Sequence, residues 1–128
     1  MVRIEHIALW TKDLEGLRHF YEKYFGAVAN DKYTNPKKQL QTYFLTFEGG
    51  ARLELMQRPE VHSPNASEFP LGYAHLAFST GSKENVDTLT LQLADDGYKV
   101  CDGPRTTGDG YYESVVLDPE GNHIELTV

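Results

Sequence analysis

The chain repeats itself, and that repetition constrains its fold more than any other feature. Ile4-Glu5-His6-Ile7-Ala8-Leu9 and Tyr73-Ala74-His75-Leu76-Ala77-Phe78 are both short, strand-like runs with a central histidine and an alanine two residues later. Gly50-Ala51-Arg52-Leu53-Glu54-Leu55 and Gly121-Asn122-His123-Ile124-Glu125-Leu126 are both a glycine turn followed by a strand, with glutamate four residues after the glycine. The histidines stand 69 positions apart and the glutamates 71. Two matched pairs at nearly one offset imply a module of about half the chain, present twice.

The residues between these anchors support the duplication. In the first half Asp13 is a helix N-cap, Leu14, Leu17, Tyr21 and Tyr24 recur at helical spacing, and Gly26 is a helix stop. In the second half Ser82 is the cap, Val86, Leu89 and Leu93 form the stripe, and Gly97 ends it. Three more strands follow in each half, at 27–33, 41–47 and 51–57, then at 98–101, 111–117 and 122–128. Each half therefore reads β-α-β-β-β. Pro59, Pro64 and Pro70 exclude a helix or a central strand between the halves. The expected organisation is a module over 1–57, a linker over 58–70 and a second module over 71–128. The 128 residues suffice for one domain overall. The fold class is α+β: two βαβββ modules forming a curved, half-barrel mixed sheet that lines a cleft, with one helix packed outside each module.

Side chains on a strand alternate between faces. His6 shares its face with Ile4, Ala8 and Trp10; Glu54 shares its face with Arg52 and Met56. His75 goes with Tyr73 and Ala77, and Glu125 with His123 and Thr127. The opposite face is apolar in every case, so it belongs under the helix. Two histidines and two glutamates are thus expected on the helix-free faces, one pair per half. Four polar groups converging in a cleft repel or stay unsatisfied unless a cation bridges them. Imidazole plus carboxylate suits Zn²⁺, Ni²⁺, Co²⁺, Fe²⁺ or Mn²⁺, and two carboxylates balance a dication.

Composition removes other classes. Lys and Arg total 12 against 19 for Asp and Glu, a formal net charge of −7. Phosphate neutralisation needs a basic face, so no nucleic-acid partner is expected. The longest apolar run, Ile7 to Trp10, has four residues; a membrane span needs about 20, so no membrane association is expected. One cysteine, Cys101, excludes an internal disulfide and a multi-cysteine zinc site. Its expected place is a buried strand, and the expected compartment is the cytoplasm. His19 and His62 follow no pattern, and Lys37-Lys38 reads as a solvated turn.

Several of these residues resemble a known family. The opening Glu5-His6-Ile7-Ala8-Leu9 with Asp13-Leu14-Glu15, the pair Phe20-Tyr21 before Phe25-Gly26, and the ending Leu117-Asp118-Pro119-Glu120-Gly121-Asn122-His123-Ile124-Glu125-Leu126 resemble the vicinal oxygen chelate superfamily (glyoxalase, bleomycin resistance protein, dioxygenase). The bacterial glyoxalase I group is the nearest in appearance. The resemblance implies that His6, Glu54, His75 and Glu125 bind one divalent metal, Ni²⁺, Co²⁺ or Zn²⁺ first and Mn²⁺ or Fe²⁺ after them. It implies a lyase acting on the hemithioacetal of methylglyoxal and a thiol, with Glu125 as the main catalytic base and Glu54 sharing that role.

Two departures bear on the thiol. Trp10 stands where glutathione-using members carry an arginine, and Arg58 where they carry an asparagine. The expected small-molecule substrate is therefore built on another thiol, with Trp10, Arg52, Arg58 and His123 as candidate substrate contacts. The alternatives are a fosfomycin-type thiol transferase or a dioxygenase, which resemble a three-ligand version of the site, and a metal-free drug-binding resistance protein. Glu54 argues against the first two, and four intact ligands argue against the last. Exposed sheet edges in a lone module favour a homodimer.

Overall fold

The structure is a computed structural model that describes residues 1–64, 69 and 71–128. The chain divides into two compact units, Met1–Ala66 and Ser67–Val128. The first contains β1 (His6–Trp10), α1 (Leu14–Phe25), β2 (Val28–Ala29), β3 (Tyr33–Asn35), β4 (Leu40–Thr46) and β5 (Arg52–Gln57). The second contains β6 (Leu76–Ser79), α2 (Lys83–Asp95), β7 (Val100–Thr106), β8 (Tyr112–Leu117) and β9 (His123–Thr127). Each unit is a mixed sheet with one helix, so the class is α+β.

The helices begin and end where local chemistry dictates. The Asp13 carboxylate accepts from Gly16 N at 3.0 Å, and the Ser82 hydroxyl accepts from Asn85 N at 3.1 Å. Both satisfy a backbone donor that the first turn leaves orphaned. Gly26 closes α1 in the left-handed region at φ 64°, with its N–H bonded to Tyr21 O, a conformation that costs an L side chain more than glycine. Leu14, Leu17, Phe20, Tyr21 and Tyr24 of α1 are buried together with Leu45, Leu53 and Leu55. In the second unit Val86, Thr90 and Leu93 of α2 are buried, as are Val116, Ile124 and Leu126. The helix-bearing faces of β5 and β9 are therefore the apolar ones, as strand parity requires.

The first sheet runs β1-β5-β4-β2, with β3 also paired to β4; the second runs β6-β9-β8-β7. In both, the opening strand lies parallel to the glutamate strand and the rest is antiparallel. The register repeats as well: Ala8 lies opposite Glu54 and Ala77 opposite Glu125.

Four local expectations change. The strand expected over 27–33 is two strands, β2 and β3, because Asn30 interrupts the ladder: its side-chain oxygen accepts from Phe44 N at 2.8 Å, where a neighbouring strand's carbonyl would stand. The strand of the second histidine starts at Leu76, so His75 precedes it. β7 continues to Thr106 through register shifts rather than ending near Cys101. Cys101 is exposed rather than buried, since it sits at a register shift of β7, the edge strand of its sheet. Of the expected linker, residues 65–68 and 70 lie outside those described.

The ending motif has a structural task. Asp118 is 4% exposed and its Oδ1 accepts from Glu120 N and Asn122 N, both at 2.9 Å, while Oδ2 accepts from Asn122 Nδ2 at 2.8 Å. This carboxylate shapes the turn that delivers β9. Asp118→Ala orphans these donors and is expected to cost about 1–3 kcal/mol of stability. Urea unfolding of the two proteins measures the difference.

Candidate metal centre

In the first unit His6 opens β1 and Glu54 sits mid-way along β5. The parallel register sets Ala8, with its small side chain, opposite Glu54, and His6 Nε2 lies 3.9 Å from Glu54 Oε1. The other imidazole nitrogen is engaged: Nδ1 lies 3.2 Å from Glu5 Oε1. Arg52, which pairs with His6 across the sheet, holds Glu5 through Nε and Nη2 and stacks over Phe44 at 4.2 Å. Phe44 meets the His6 ring edge-on at 5.4 Å. The hydrogen bond from Arg52 keeps the Glu5 carboxyl below its usual range, so Glu5 only accepts. The Glu5 contact engages Nδ1 and leaves Nε2 on the side of Glu54.

In the second unit His75 Nε2 lies 3.3 Å from Glu125 Oε2. Ala77 lies opposite Glu125, as Ala8 lies opposite Glu54. The counterpart of Glu5 is Ala74, so His75 has no such carboxylate beside it in sequence. Glu113 on β8 is an addition that the sequence reading missed. Its carboxyl is pushed up to about 7, first by a hydrogen bond with Glu125, then by burial and the charges of Glu125 and Asp109. The trace it leaves in the sequence is parity: β8 and β9 are antiparallel with Val115 opposite Glu125, so Glu113 falls on the same face.

The donors fit a small dication. Two cis ligands about 2.1 Å from one ion stand about 3 Å apart; the His75–Glu125 separation, 3.3 Å, lies close to that, and the His6–Glu54 separation, 3.9 Å, is wider. At 3.9 Å His6 Nε2 and Glu54 Oε1 stand beyond hydrogen-bond reach of each other; a cation between them would engage both. The glutamate side chains are 16% and 20% exposed and the histidines 42% and 43%, so the carboxylates are set back in the sheet while each imidazole reaches solvent. Among the described residues no group of three or more His, Cys, Asp or Glu forms a ready cluster: the structure brings the candidate donors together in twos, one pair in each unit.

The remaining candidates fall in different places. Trp10 ends β1 on the His6 face and is 54% exposed. Arg52 is committed to Glu5 and Phe44. Arg58 is held by Glu60, Nε to Oε2 at 2.7 Å. His123 opens β9 opposite Leu117 and is exposed.

The family follows from comparison with known sequences. Residues 3–126 match the Glyoxalase/Bleomycin resistance protein/Dioxygenase superfamily. The chain belongs to this superfamily. Among curated relatives, the uncharacterized protein YqjT of Bacillus subtilis (strain 168) is 30% identical over 129 residues, with 96% of each chain covered. Biphenyl-2,3-diol 1,2-dioxygenase 3 of Rhodococcus globerulus is 29% identical over 132 residues; the match takes in 98% of this chain but 63% of that enzyme's length. Among solved structures, a possible glyoxalase from Bacillus cereus superposes over the whole of both chains with a TM-score of 0.73 at 29% identity.

Glu5 contacts the ring nitrogen of His6 that is turned away from Glu54, the place of a group that would orient His6 toward an ion. Carboxylates in that position raise metal affinity about 10–100-fold, so Glu5→Gln is expected to weaken Ni²⁺ binding by that factor. Competition with a chromophoric chelator reads it directly.

Proposed function

We propose that the protein is a metal-dependent lyase of the glyoxalase I kind, acting on a hemithioacetal whose thiol is not glutathione. The observation that carries this reading is the repeated pair: in both units a histidine Nε2 faces a glutamate carboxylate on the sheet face away from the helix. His6, Glu54, His75 and Glu125 would hold one divalent ion between them. Such an ion acts as a Lewis acid on adjacent substrate oxygens and makes the neighbouring C–H acidic.

The protein's own groups do the rest. Glu125 takes the proton on its carboxylate oxygen and returns it to the adjacent carbon as general base and then acid. Glu54, its equivalent in the repeat, serves the substrate of opposite hand. The hydrogen bond with Glu113 positions the Glu125 carboxylate. Trp10 offers an indole surface to the substrate, which suits an apolar tail and cannot pair with a carboxylate.

The test is an assay of protein loaded separately with Ni²⁺, Co²⁺ and Zn²⁺ against methylglyoxal hemithioacetals of cysteine, 2-mercaptoethanol and glutathione. Turnover of a smaller-thiol adduct with a weak glutathione reaction supports the reading. A glutathione kcat/KM within about 10⁴–10⁸ M⁻¹s⁻¹, the range of ordinary enzymes, would remove the claim about the thiol. The similarity to a dioxygenase supports a second reading. Oxygen uptake with a catechol, and no lyase turnover, would establish that one instead.

A further inference from the structure

On the helix-free face of the first sheet, strand pairing lines up four residues across four strands. Trp10 of β1 lies opposite Met56 of β5, Met56 opposite Thr42 of β4, and Thr42 opposite Tyr33 of β3. The side they occupy is fixed by their neighbours. Gln57, one step along β5, turns to α1 and accepts from Leu14 N at 2.9 Å. Tyr43, one step along β4, donates to Glu15 of α1 at 3.0 Å. Met56 and Thr42 therefore face away from the helix, and directly paired residues share a face. Two residues back along the strands lie Ala8, Glu54 and Phe44. Side chains so related stand about 7 Å apart on one face, so the Trp10 row borders the His6–Glu54 pair.

The row is uncharged, in a chain of which 24% is charged. Its ends are open rings: Trp10 and Tyr33 are each 54% exposed. Between them Thr42 is 4% exposed and Met56 is half-buried, so the middle is low. Three strand spacings set the backbones of the two aromatic residues about 14 Å apart. Arg58, two residues beyond Met56, is held by Glu60, Nε to Oε2 at 2.7 Å, so its charge is offset. On β1 only the methyl group of Ala8 stands between His6 and Trp10 on their shared face.

We propose that this row is a specificity subsite and that the substrate carries a flat, uncharged aromatic group beside its metal-facing oxygens. The proposal deepens the reading above and rests on the pair being a metal site. The indole of Trp10 and the phenol of Tyr33 meet such a ring by stacking or edge contact, and the Met56 sulfur gives it a polarisable floor. A charged substituent would lose water there without gaining a counter-ion.

Trp10 is the only tryptophan, so its emission reports on the row directly. Zn²⁺-loaded protein would be titrated, by calorimetry and by tryptophan fluorescence, with four hydroxamates that share two adjacent oxygens. Benzohydroxamate adds an aromatic ring, acetohydroxamate adds none, cyclohexanecarbohydroxamate adds a saturated ring, and 4-carboxybenzohydroxamate adds a charge. Benzohydroxamate is expected to bind about tenfold tighter than acetohydroxamate and to change the emission. Tyr33→Ala, and Trp10→Ala read by calorimetry, should each cut that ratio about two- to tenfold. Acetohydroxamate binding as tightly as benzohydroxamate would overturn this proposal and leave the metal reading intact. So would equal affinity for the saturated ring, tighter binding of the carboxylated one, an unchanged emission on binding, or an unchanged ratio in both variants. Failure of all four to bind would overturn the metal reading and this proposal with it.

Discussion

Replacing His75 with alanine is expected to weaken Ni²⁺ or Co²⁺ binding more than a hundredfold, so that the purified variant carries almost none of the ion that wild-type protein retains. The reasoning is comparative. Removing a group that merely orients a ligand costs about 10–100-fold, and removing a ligand takes away the bond itself and leaves the Glu125 carboxylate facing nothing. Metal analysis after dialysis measures it, with His19→Ala as the control, since His19 lies on α1 and not on a ligand-bearing face. Stoichiometric metal in His75→Ala would place the ion elsewhere. The same variant reports on assembly. If each ion takes one pair from each of two chains, refolding a mixture of His6→Ala and His75→Ala recovers about a quarter of the sites, because random pairing leaves one intact site in each mixed dimer. If both pairs come from one chain, it recovers none.

Glu125→Gln is expected to lower kcat by about 10²–10⁴, the span that a positioned general base contributes. The amide keeps an oxygen for the ion but has no basic lone pair to accept the substrate proton. The measurement is kcat per bound metal ion on the best hemithioacetal, with Glu54→Gln in parallel. A near-wild-type rate for Glu125→Gln together with a collapsed rate for Glu54→Gln would reverse the two roles. Equal losses in both would mean that the halves share the proton transfer evenly. Glu113 bears on this asymmetry: its hydrogen bond singles out Glu125, while the matching position of the first unit holds Thr42, which pairs with Met56 and has no charge to share.

The sequence by itself determined the α+β class and, for each half, the histidine and glutamate that the structure sets beside each other. The repeat, the helical stripes and the local polar residues set the α+β class and the caps Asp13 and Ser82, and strand alternation set the helix-free faces of β5 and β9 that carry Glu54 and Glu125; the extra strand of the first unit and the place of His75 before β6 lay beyond it. The caps and faces follow from period-two alternation and local hydrogen bonding, which act over a few residues. Tertiary structure alone decided which backbone is interrupted and what surrounds the pair. Asn30 splits a strand because Phe44, fourteen residues on, offers it an N–H. Cys101 is exposed because β7 is the last strand of its sheet. The Glu5 carboxylate is held beside His6 by Arg52, which lies across the sheet, and the raised carboxyl of Glu113 requires Glu125 across a hairpin. Each of these depends on the separation of groups distant in the chain. Such distances are set by strand pairing, and pairing is the step that local propensity cannot specify.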